Sequence, residues 1–248
     1  YIALYRRARD EDWTKEELLR EAARIPGIYV PSFYEPVYRP DGTLEEMRIR
    51  EGSGAPELVR KRVVEDMNKS YFPVKTIIPS TEIVHDRVML ELFRGCIRGC
   101  RFCQAGYVYR PVRSRDPKQL AEYGKAACED SGYQEMTLSS LSSTDYPCLL
   151  QLCDDLLDYC APRDIGLSLP SLRADTFSMN LMERLQRVRK GGLTFAPEAG
   201  TQRLRDAINK NLREEDLLQS CRTAFSGGWS GVKLYFMLGL PTETDEDV

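Results

Sequence analysis

Residues 88–103 read VMLELFRGCIRGCRFC, an apolar run followed directly by three closely spaced cysteines. The run Val88–Phe93 has the composition of a buried β-strand. Cys96, Cys100 and Cys103 come next, separated by three and then by two residues. Thiolates this close together converge on one soft metal centre, and an iron–sulfur cluster is the first choice.

The triplet lacks a fourth protein ligand. A structural zinc site or a closed ferredoxin cluster takes four ligands, and the nearest candidates, His85 and Cys128, do not have motif spacing. An open position on a metal is a place for a substrate or a cofactor. Gly95 and Gly99 permit the positive φ angles and the close backbone approach that wrapping a cluster requires. A zinc site and a non-catalytic iron–sulfur electron carrier remain open alternatives.

A regular alternation of strands and helices surrounds the cysteines. Further apolar runs typical of buried strands lie at Glu135–Ser139, Ile165–Leu169, Leu193–Ala196 and Val232–Leu238. Helical patterns lie between them, at about 117–130, 146–160, 176–189, 201–210 and 214–226. This spacing favours α/β crossovers and a parallel sheet. Ligands of such sheets gather beyond the carboxyl ends of the strands.

Residues 1–84 have a different texture. Thr14 and Glu17 form a capping-box pattern that predicts a helix over about 15–25, and Asp41-Gly42 predicts a hairpin turn. We therefore predict a connecting segment of α+β character at 1–84 and a separate core at 85–248. The acidic residues after Thr244 are typical of a first helical turn, so we expect this chain to be a piece of a longer polypeptide, with a domain missing before residue 1 and an incomplete core at the C-terminus.

Composition sets the broad class. The 248 residues carry 35 basic and 38 acidic side chains, for a net charge of −3, which describes an ordinary globular protein and not a globally basic nucleic-acid binder. Nucleic acid stays possible as a partner through a local patch. No apolar run approaches the ~18 residues of a membrane-spanning helix, so no membrane association is expected and the cytoplasm is the default location.

The pattern C-x3-C-x-aromatic-C directly after a first β-strand resembles the signature of the radical S-adenosylmethionine (SAM) superfamily. The resemblance implies a [4Fe-4S] cluster held by Cys96, Cys100 and Cys103, with SAM on the fourth iron. It places Phe102 near the SAM adenine. It also implies reductive cleavage of SAM to a 5′-deoxyadenosyl radical, which abstracts hydrogen from a substrate.

Segments after the later strands resemble the SAM contacts of that family. Ser139–Ser143 stands where the family has Gly-Gly-Glu, Leu169–Arg173 and Phe195–Thr201 resemble its ribose and carboxylate contacts, and Leu238–Thr244 resembles its Gly-Leu-Pro-Gly-Glu-Thr turn. The SAM-binding residues that the resemblance implies besides Phe102 are Ser140, Ser142, Ser171, Arg173, Glu198, Gly239 and Pro241.

Within the superfamily the chain resembles bacterial radical SAM proteins that carry a cobalamin-binding domain and have no assigned reaction. The resemblance runs through Ile28–Ser32, Phe72-Pro73 and His85–Arg87 as well as the core. It implies a partial (β/α)6 TIM-like barrel truncated before its last strand, with cobalamin possible only through a domain absent from this chain. Methylthiotransferases are a second similar group, through Pro197–Thr201 and Ile208–Lys210.

The predicted function is therefore that of a radical SAM enzyme core acting on an unassigned substrate. Cobalamin-dependent methyl transfer and methylthiotransferase-like modification of RNA or protein are the enzymatic alternatives. The expected partner is a reductant such as flavodoxin or ferredoxin. The cysteine segment is rich in arginine. This charge suits an ordinary solvated surface, or else it stabilises an anionic cluster, docks an acidic electron donor or holds a phosphate-bearing substrate.

Overall fold

The computed structural model describes residues 1–189 and 191–248, which form two compact units, Tyr1–Val64 and Glu65–Val248. Residues 65–84 thus group with the second unit. The assignment of 1–84 as a connecting segment that follows a missing domain stays a prediction.

The first unit contains two helices and a hairpin. Helix α1 spans Ile2–Asp10 and α2 spans Lys15–Ala23; strands β1 (Tyr34–Tyr38) and β2 (Leu44–Ile49) pair antiparallel. The predicted capping box of α2 is present, with the Glu17 amide donating to Thr14 Oγ1 at 3.3 Å. Gly42 lies in the hairpin turn at φ +81°. The predicted helix and hairpin are confirmed, whereas α1 was not predicted.

The second unit carries the remaining strands. They are β3 (Val88–Glu91), β4 (Phe93–Arg94), β5 (Arg113–Ser114), β6 (Glu135–Ser139), β7 (Gly166–Ser168), β8 (Leu193–Glu198) and β9 (Val232–Phe236). Strands β3, β6 and β7 form a parallel sheet in that order, β8 pairs parallel with β9, and β4 pairs antiparallel with β5.

Helices follow the strands as the sequence pattern predicted, except that the short helix Ala105–Val108 was not predicted. They are α3 (Ala105–Val108), α4 (Pro117–Ser131), α5 (Leu149–Cys160), α6 (Met179–Leu185), α7 (Gln202–Ala207) and α8 (Glu214–Ser226). Local chemistry fixes their ends: Asp116 accepts hydrogen bonds from the Lys118 and Gln119 amides at the start of α4, and Gly132 ends that helix at φ +72°.

The parallel strands have two different faces. One face is apolar and packs against the helices, through side chains such as Leu90, Leu138 and Phe195 that are fully buried. The other face lines a cavity of about 610 Å³, to which Met89, Thr137, Ser168, Thr194 and Tyr235 contribute. Two of these hydroxyls, on Thr137 and Ser168, hydrogen-bond to each other across β6 and β7 at 2.8 Å.

The predicted α/β class with parallel strands is confirmed. Within residues 1–189 and 191–248, β7 and β8 share no backbone pairing, so the parallel strands form two sheets, and the partial barrel stays a prediction. In the same residues no helix is both long enough and apolar enough to cross a bilayer.

Candidate functional site

The three clustered cysteines lie on a loop between β4 and β5, residues 95–112, which we call the cysteine loop. All three are free thiols and half-buried. Gly95 opens the loop at φ +102°, where a Cβ atom would stand 2.7 Å from the Tyr109 carbonyl oxygen. Glycine is therefore required at the base of the loop, because the backbone both turns left-handed and closes tightly there.

A turn after α7, residues 207–211, holds the cysteine loop from the other side. Asn209 Nδ2 donates to the Gly99 carbonyl at 2.9 Å, and the Arg101 amide donates to the Ile208 carbonyl at 2.9 Å. Asn209 itself is left-handed at φ +55°, a conformation that asparagine tolerates better than most residues. In the sequence this segment shows only a similarity to methylthiotransferases, and its contact with the cysteine loop was not predicted.

Arg98 joins the cysteine loop to the segments that follow β6 and β7. Its Nε donates to Asp145 Oδ2 at 2.8 Å and its Nη2 donates to the other oxygen of the same carboxylate. Its Nη1 lies 3.6 Å from Asp175 Oδ2. Burial opposes the charge on Asp145, but the hydrogen bonds from Arg98 hold its pKa below the ordinary value, so the pair stays ionised. Neither aspartate was predicted, because no local pattern distinguishes it from a surface carboxylate.

Arg173 belongs to the same network. Its Nε and Nη2 donate to the two oxygens of Asp175, at 2.9 and 3.0 Å. Nη2 also lies within hydrogen-bond distance of the Lys210 and Asn211 carbonyl oxygens, at 3.3 and 3.4 Å. The side chain thus ties the segment after β7 to the 207–211 turn.

Glu198 ends β8 just after a bulge, in a left-handed conformation at φ +69°. Its Oε1 accepts a hydrogen bond from Lys210 Nζ at 3.1 Å, and both side chains are largely buried, with exposed fractions of 16% and 13%. Lys210 was not singled out from the sequence. The pair brings one carboxylate and one ammonium to the carboxyl end of β8.

The serine segment after β6 is ordered by its own hydroxyls. Ser140 Oγ donates to Ser143 Oγ at 3.1 Å, and Ser143 Oγ approaches the Pro170 carbonyl oxygen at 2.8 Å. Ser142 is buried, whereas Ser171 is exposed at φ +60°. The segments after β6 and β7 therefore lie side by side.

The remaining expected SAM contacts lie on exposed backbone. Gly239 takes φ +82° in the turn after β9, and Pro241 is exposed two residues later. Leu240 between them is buried against Ala199 and the residues of α7. Phe102 is exposed on the cysteine loop.

The electrostatics of the cysteine loop suit an anionic metal–thiolate centre. Burial raises the pKa of the Cys100 thiol, and the positive charges of Lys210 and Arg173 act in the opposite direction. Cations that favour a thiolate also favour a negatively charged cluster. Within the part of the chain that the structure describes, no three His, Cys, Asp or Glu side chains are arranged around a single metal ion. The soft donors, the half-buried thiols and the glycine-dependent backbone fit the chemistry of an iron–sulfur cluster.

Three known proteins are similar to this chain over part of its length. An uncharacterized protein of Methanocaldococcus jannaschii is 41% identical over 160 residues, which cover 64% of this chain and 34% of the relative. A putative methylthiotransferase of the same archaeon is 26% identical over 73% of this chain and 42% of its own length. The threonylcarbamoyladenosine tRNA methylthiotransferase MtaB of Bacillus subtilis is 22% identical over 79% of this chain and 43% of its own length. The chain thus spans well under half the length of these relatives.

The family model described as the radical SAM superfamily matches residues 90–248, which include the cysteine loop, β6 to β9 and every residue of the expected site. Members of this superfamily are enzymes that use a [4Fe-4S] cluster and SAM. The match covers more than half of the chain and agrees with the thiol triplet and the parallel strands described above. This protein belongs to the radical SAM superfamily.

Proposed function

We propose that this chain is the core of an enzyme that binds a [4Fe-4S] cluster through Cys96, Cys100 and Cys103 and cleaves SAM reductively. The observation that carries the proposal is the cysteine loop itself, which presents three half-buried thiols next to the carboxyl ends of the strands. When bound, the cluster supplies an electron to the SAM sulfonium, which breaks its bond to the 5′ carbon and yields a 5′-deoxyadenosyl radical.

The chain's own contribution is to position these groups. Arg98, Asp145 and Asp175 hold the cysteine loop against the segments after β6 and β7, and Asn209 holds its other side. A preorganised site of this kind keeps the reacting groups in one geometry and excludes water from a reactive radical.

The proposed SAM contacts follow the strand ends. Glu198 and Lys210 offer a carboxylate and an ammonium that complement the ammonium and carboxylate groups of methionine. Arg173 donates from Nε and Nη2 to the carboxylate of Asp175. We therefore propose that Arg173 orients the site and contacts the SAM carboxylate only through a guanidinium N–H that is not bonded to Asp175. The other proposed contacts are Phe102, Ser140, Ser142, Ser171, Gly239 and Pro241.

We propose that the substrate binds in the cavity of about 610 Å³ on the inner face of the strands. Its size lies in the range of small-molecule sites, and its hydroxyls on Thr137, Ser168 and Thr194 can orient a polar ligand. The same cavity supports the proposal that the two parallel sheets belong to a partial (β/α)6 TIM-like barrel.

The decisive experiment compares Cys100→Ala with Cys128→Ala. Cys128 is a buried thiol of α4, whose pKa burial raises to about 11, and it lies outside the triplet. After anaerobic reconstitution, Cys100→Ala should lose both the visible absorbance of the cluster and the formation of 5′-deoxyadenosine, whereas Cys128→Ala should keep both. Full activity of Cys100→Ala would refute the proposal.

An electron carrier is the non-enzymatic alternative. Addition of SAM to the reduced protein should change the EPR signal of the cluster if SAM binds an open iron. An unchanged signal, together with absence of 5′-deoxyadenosine, would support the carrier function instead.

Methylthio transfer is a second candidate, supported by the two methylthiotransferases among the relatives. Ile208–Lys210, one of the segments that resemble methylthiotransferases, contacts the cysteine loop. Mass spectrometry of RNA from cells with and without the full-length protein would test it, since loss of a methylthiolated nucleoside is expected. Cobalamin-dependent methyl transfer would be supported by a corrinoid that copurifies with the full-length protein.

Radical SAM enzymes need a reductant, and we propose an acidic flavodoxin or ferredoxin. The exposed Arg101 beside the cluster ligands supports an acidic partner. We also propose a cytoplasmic location, because all eight cysteines are free thiols and a reducing compartment preserves them.

A further inference from the structure

A second pocket lies beside β3, separate from the cysteine loop. Its volume is about 440 Å³, within the range of small-molecule sites. Its walls are mostly apolar and include Phe72, Pro73, Val88, Met89 and Tyr133. None of the three cysteines lines it. We call it the Arg115 pocket, after the cation that also lines it.

Arg115 is a buried cation with an incomplete set of partners. The residue is only 4% exposed, and within residues 1–189 and 191–248 no carboxylate oxygen lies within 4.0 Å of its guanidinium. Its Nη1 donates to the Met67 carbonyl at 2.6 Å, and its Nη2 donates to Ser70 Oγ at 2.8 Å. Its Nε is buried and has no hydrogen-bond partner. A buried charge without a counter-ion and a buried donor without an acceptor both cost stability.

Other arginines of this protein show what the edge formed by Nε and Nη2 of a guanidinium can bind. Arg94 donates from Nε and Nη2 to the two oxygens of Glu91, both at 2.7 Å, and Arg184 does the same to Asp154, both at 2.8 Å. The two N–H groups on this side of the guanidinium donate two parallel hydrogen bonds to the two oxygens of one carboxylate. In Arg115 the same edge holds a single serine hydroxyl.

The charge balance of the pocket favours one negative charge. Arg87, Arg94 and Glu91 also line it. Arg94 is paired with Glu91, and Arg87 donates to Glu135 at 2.7 Å. The positive charge of Arg115 is therefore the one that no carboxylate balances among the pocket residues that the structure describes. Arg87 Nε is a second buried donor without a partner at this pocket.

We propose that the Arg115 pocket binds an organic monocarboxylate with an apolar body. The carboxylate takes the Nε and Nη2 edge of Arg115 in place of Ser70 Oγ, and the apolar body packs against Phe72, Pro73 and Val88. Binding requires the Ser70 hydroxyl to leave this edge, because it accepts the hydrogen bond from Nη2. The site does not depend on the cluster or on SAM.

Benzoate and hexanoate are the probes, with benzamide and hexanamide as uncharged matches. The acids should raise the Tm of the protein with increasing concentration, since a ligand that binds only the folded state stabilises it. The amides, and sodium chloride at equal ionic strength, should not. In 13C spectra of methyl-labelled valine, benzoate should shift the resonances of Val88, which lines this pocket but not the cavity of about 610 Å³, and leave those of Val37, in β1, unchanged. Equal effects of acid and amide, unshifted Val88 resonances, or protection by inorganic phosphate alone would overturn the proposal.

Two kinds of variant locate the site. Arg115→Lys keeps the charge but removes the edge formed by Nε and Nη2, so benzoate should bind at least about tenfold more weakly. Arg115 also holds Met67 and Ser70, so a folding defect in that variant is a real outcome, and a second pair of variants avoids it. Thr76→Trp adds a bulky side chain at a residue that lines the pocket and leaves Arg115 itself unchanged, whereas Thr81→Trp places the same side chain on an exposed residue outside the pocket. Benzoate should bind Thr81→Trp normally and Thr76→Trp not at all, and equal binding to both would refute the assigned position.

Discussion

Asn209 donates its side-chain amide to the carbonyl of Gly99, so the middle of the cysteine loop is held by a residue 110 positions later in the chain. Gly99 lies between two of the proposed iron ligands, Cys96 and Cys100. The hydrogen bond therefore acts on the backbone that sets the spacing of the thiols.

Asn209→Ala should lower the retention of iron by the reconstituted protein. Asn211→Ala is the matched control, because Asn211 is also left-handed, at φ +50°, and contributes only its backbone carbonyl to Arg173. In both variants an alanine takes a left-handed conformation, which lowers the unfolding free energy by a similar amount, about 1–2 kcal/mol. Iron per chain after gel filtration should fall only for Asn209→Ala, and equal iron contents in the two variants would show that the Gly99 bond does not matter.

Arg98→Lys should loosen the cysteine loop because lysine cannot form the two-pronged contact with Asp145. Arg184→Lys is the control, since Arg184 makes the same contact with Asp154 between α5 and α6. Arg98→Lys should lose about 1–3 kcal/mol of unfolding free energy in urea. Arg184→Lys should lose less, about 0.2–1 kcal/mol, because Asp154 is almost half exposed to solvent. Only Arg98→Lys should also shift the reduction potential of the cluster. If both variants keep the parent potential, Arg98 acts on stability alone.

Gly95→Ala should destabilise the protein by more than about 1 kcal/mol, because the new Cβ would meet two backbone carbonyl oxygens and the φ angle is left-handed. Those oxygens belong to Tyr109 and Pro111, at 2.7 and 2.8 Å. Gly106→Ala, in α3, meets nothing within 4 Å and should be neutral or stabilising by about 0.5–1 kcal/mol. Urea unfolding of the metal-free proteins measures both, and a Gly95→Ala midpoint equal to the parent would contradict the described loop base.

Asp247 should make stability depend on pH. Hydrogen bonds from Thr201, then Arg203 and Thr244, hold the pKa of this carboxyl well below its ordinary value. A depressed pKa in the folded state contributes stability that is present above the unfolded-state pKa of about 4 and is lost as the pH falls below it. The stability difference between the parent and Asp247→Asn should therefore be largest near neutrality and shrink on acidification below about pH 4.

Asp245→Asn, at an exposed position in the same segment, is the control. Thermal unfolding across the pH series provides the measurement. A constant difference between the parent and Asp247→Asn at all pH values would show that the carboxylate charge contributes nothing.

Local patterns predicted most elements of the fold. Apolar periodicity predicted the strands around Leu90 and Leu138, and the capping pattern predicted the helix that Asp116 caps. Both signals depend only on residues that are close in the sequence. Helix α1 was missed because its sequence is rich in arginine and has no side-chain cap. The bulge that turns Glu198 left-handed was missed because it depends on pairing with β9.

The candidate site divides in the same way. The thiol triplet lies within eight consecutive residues and was predicted from the sequence. The partners of Arg98 and Gly99 were not predicted, because they come from segments 47 and 110 residues away. Such pairings depend on the tertiary fold. A weak signal existed in Asn209-Lys210-Asn211, where two asparagines flank a lysine just after a helical pattern, since asparagine often ends helices in a left-handed conformation.

The distance in sequence between Gly99 and Asn209 also bears on how the protein is made. Ribosomes add roughly 5–20 residues per second, so the 110 residues between the thiols and their latch take about 5–20 s to synthesise. During that interval the nascent thiols lack the contact that orders their loop. Iron–sulfur assembly factors should therefore load the polypeptide only after the α7 turn has left the exit tunnel.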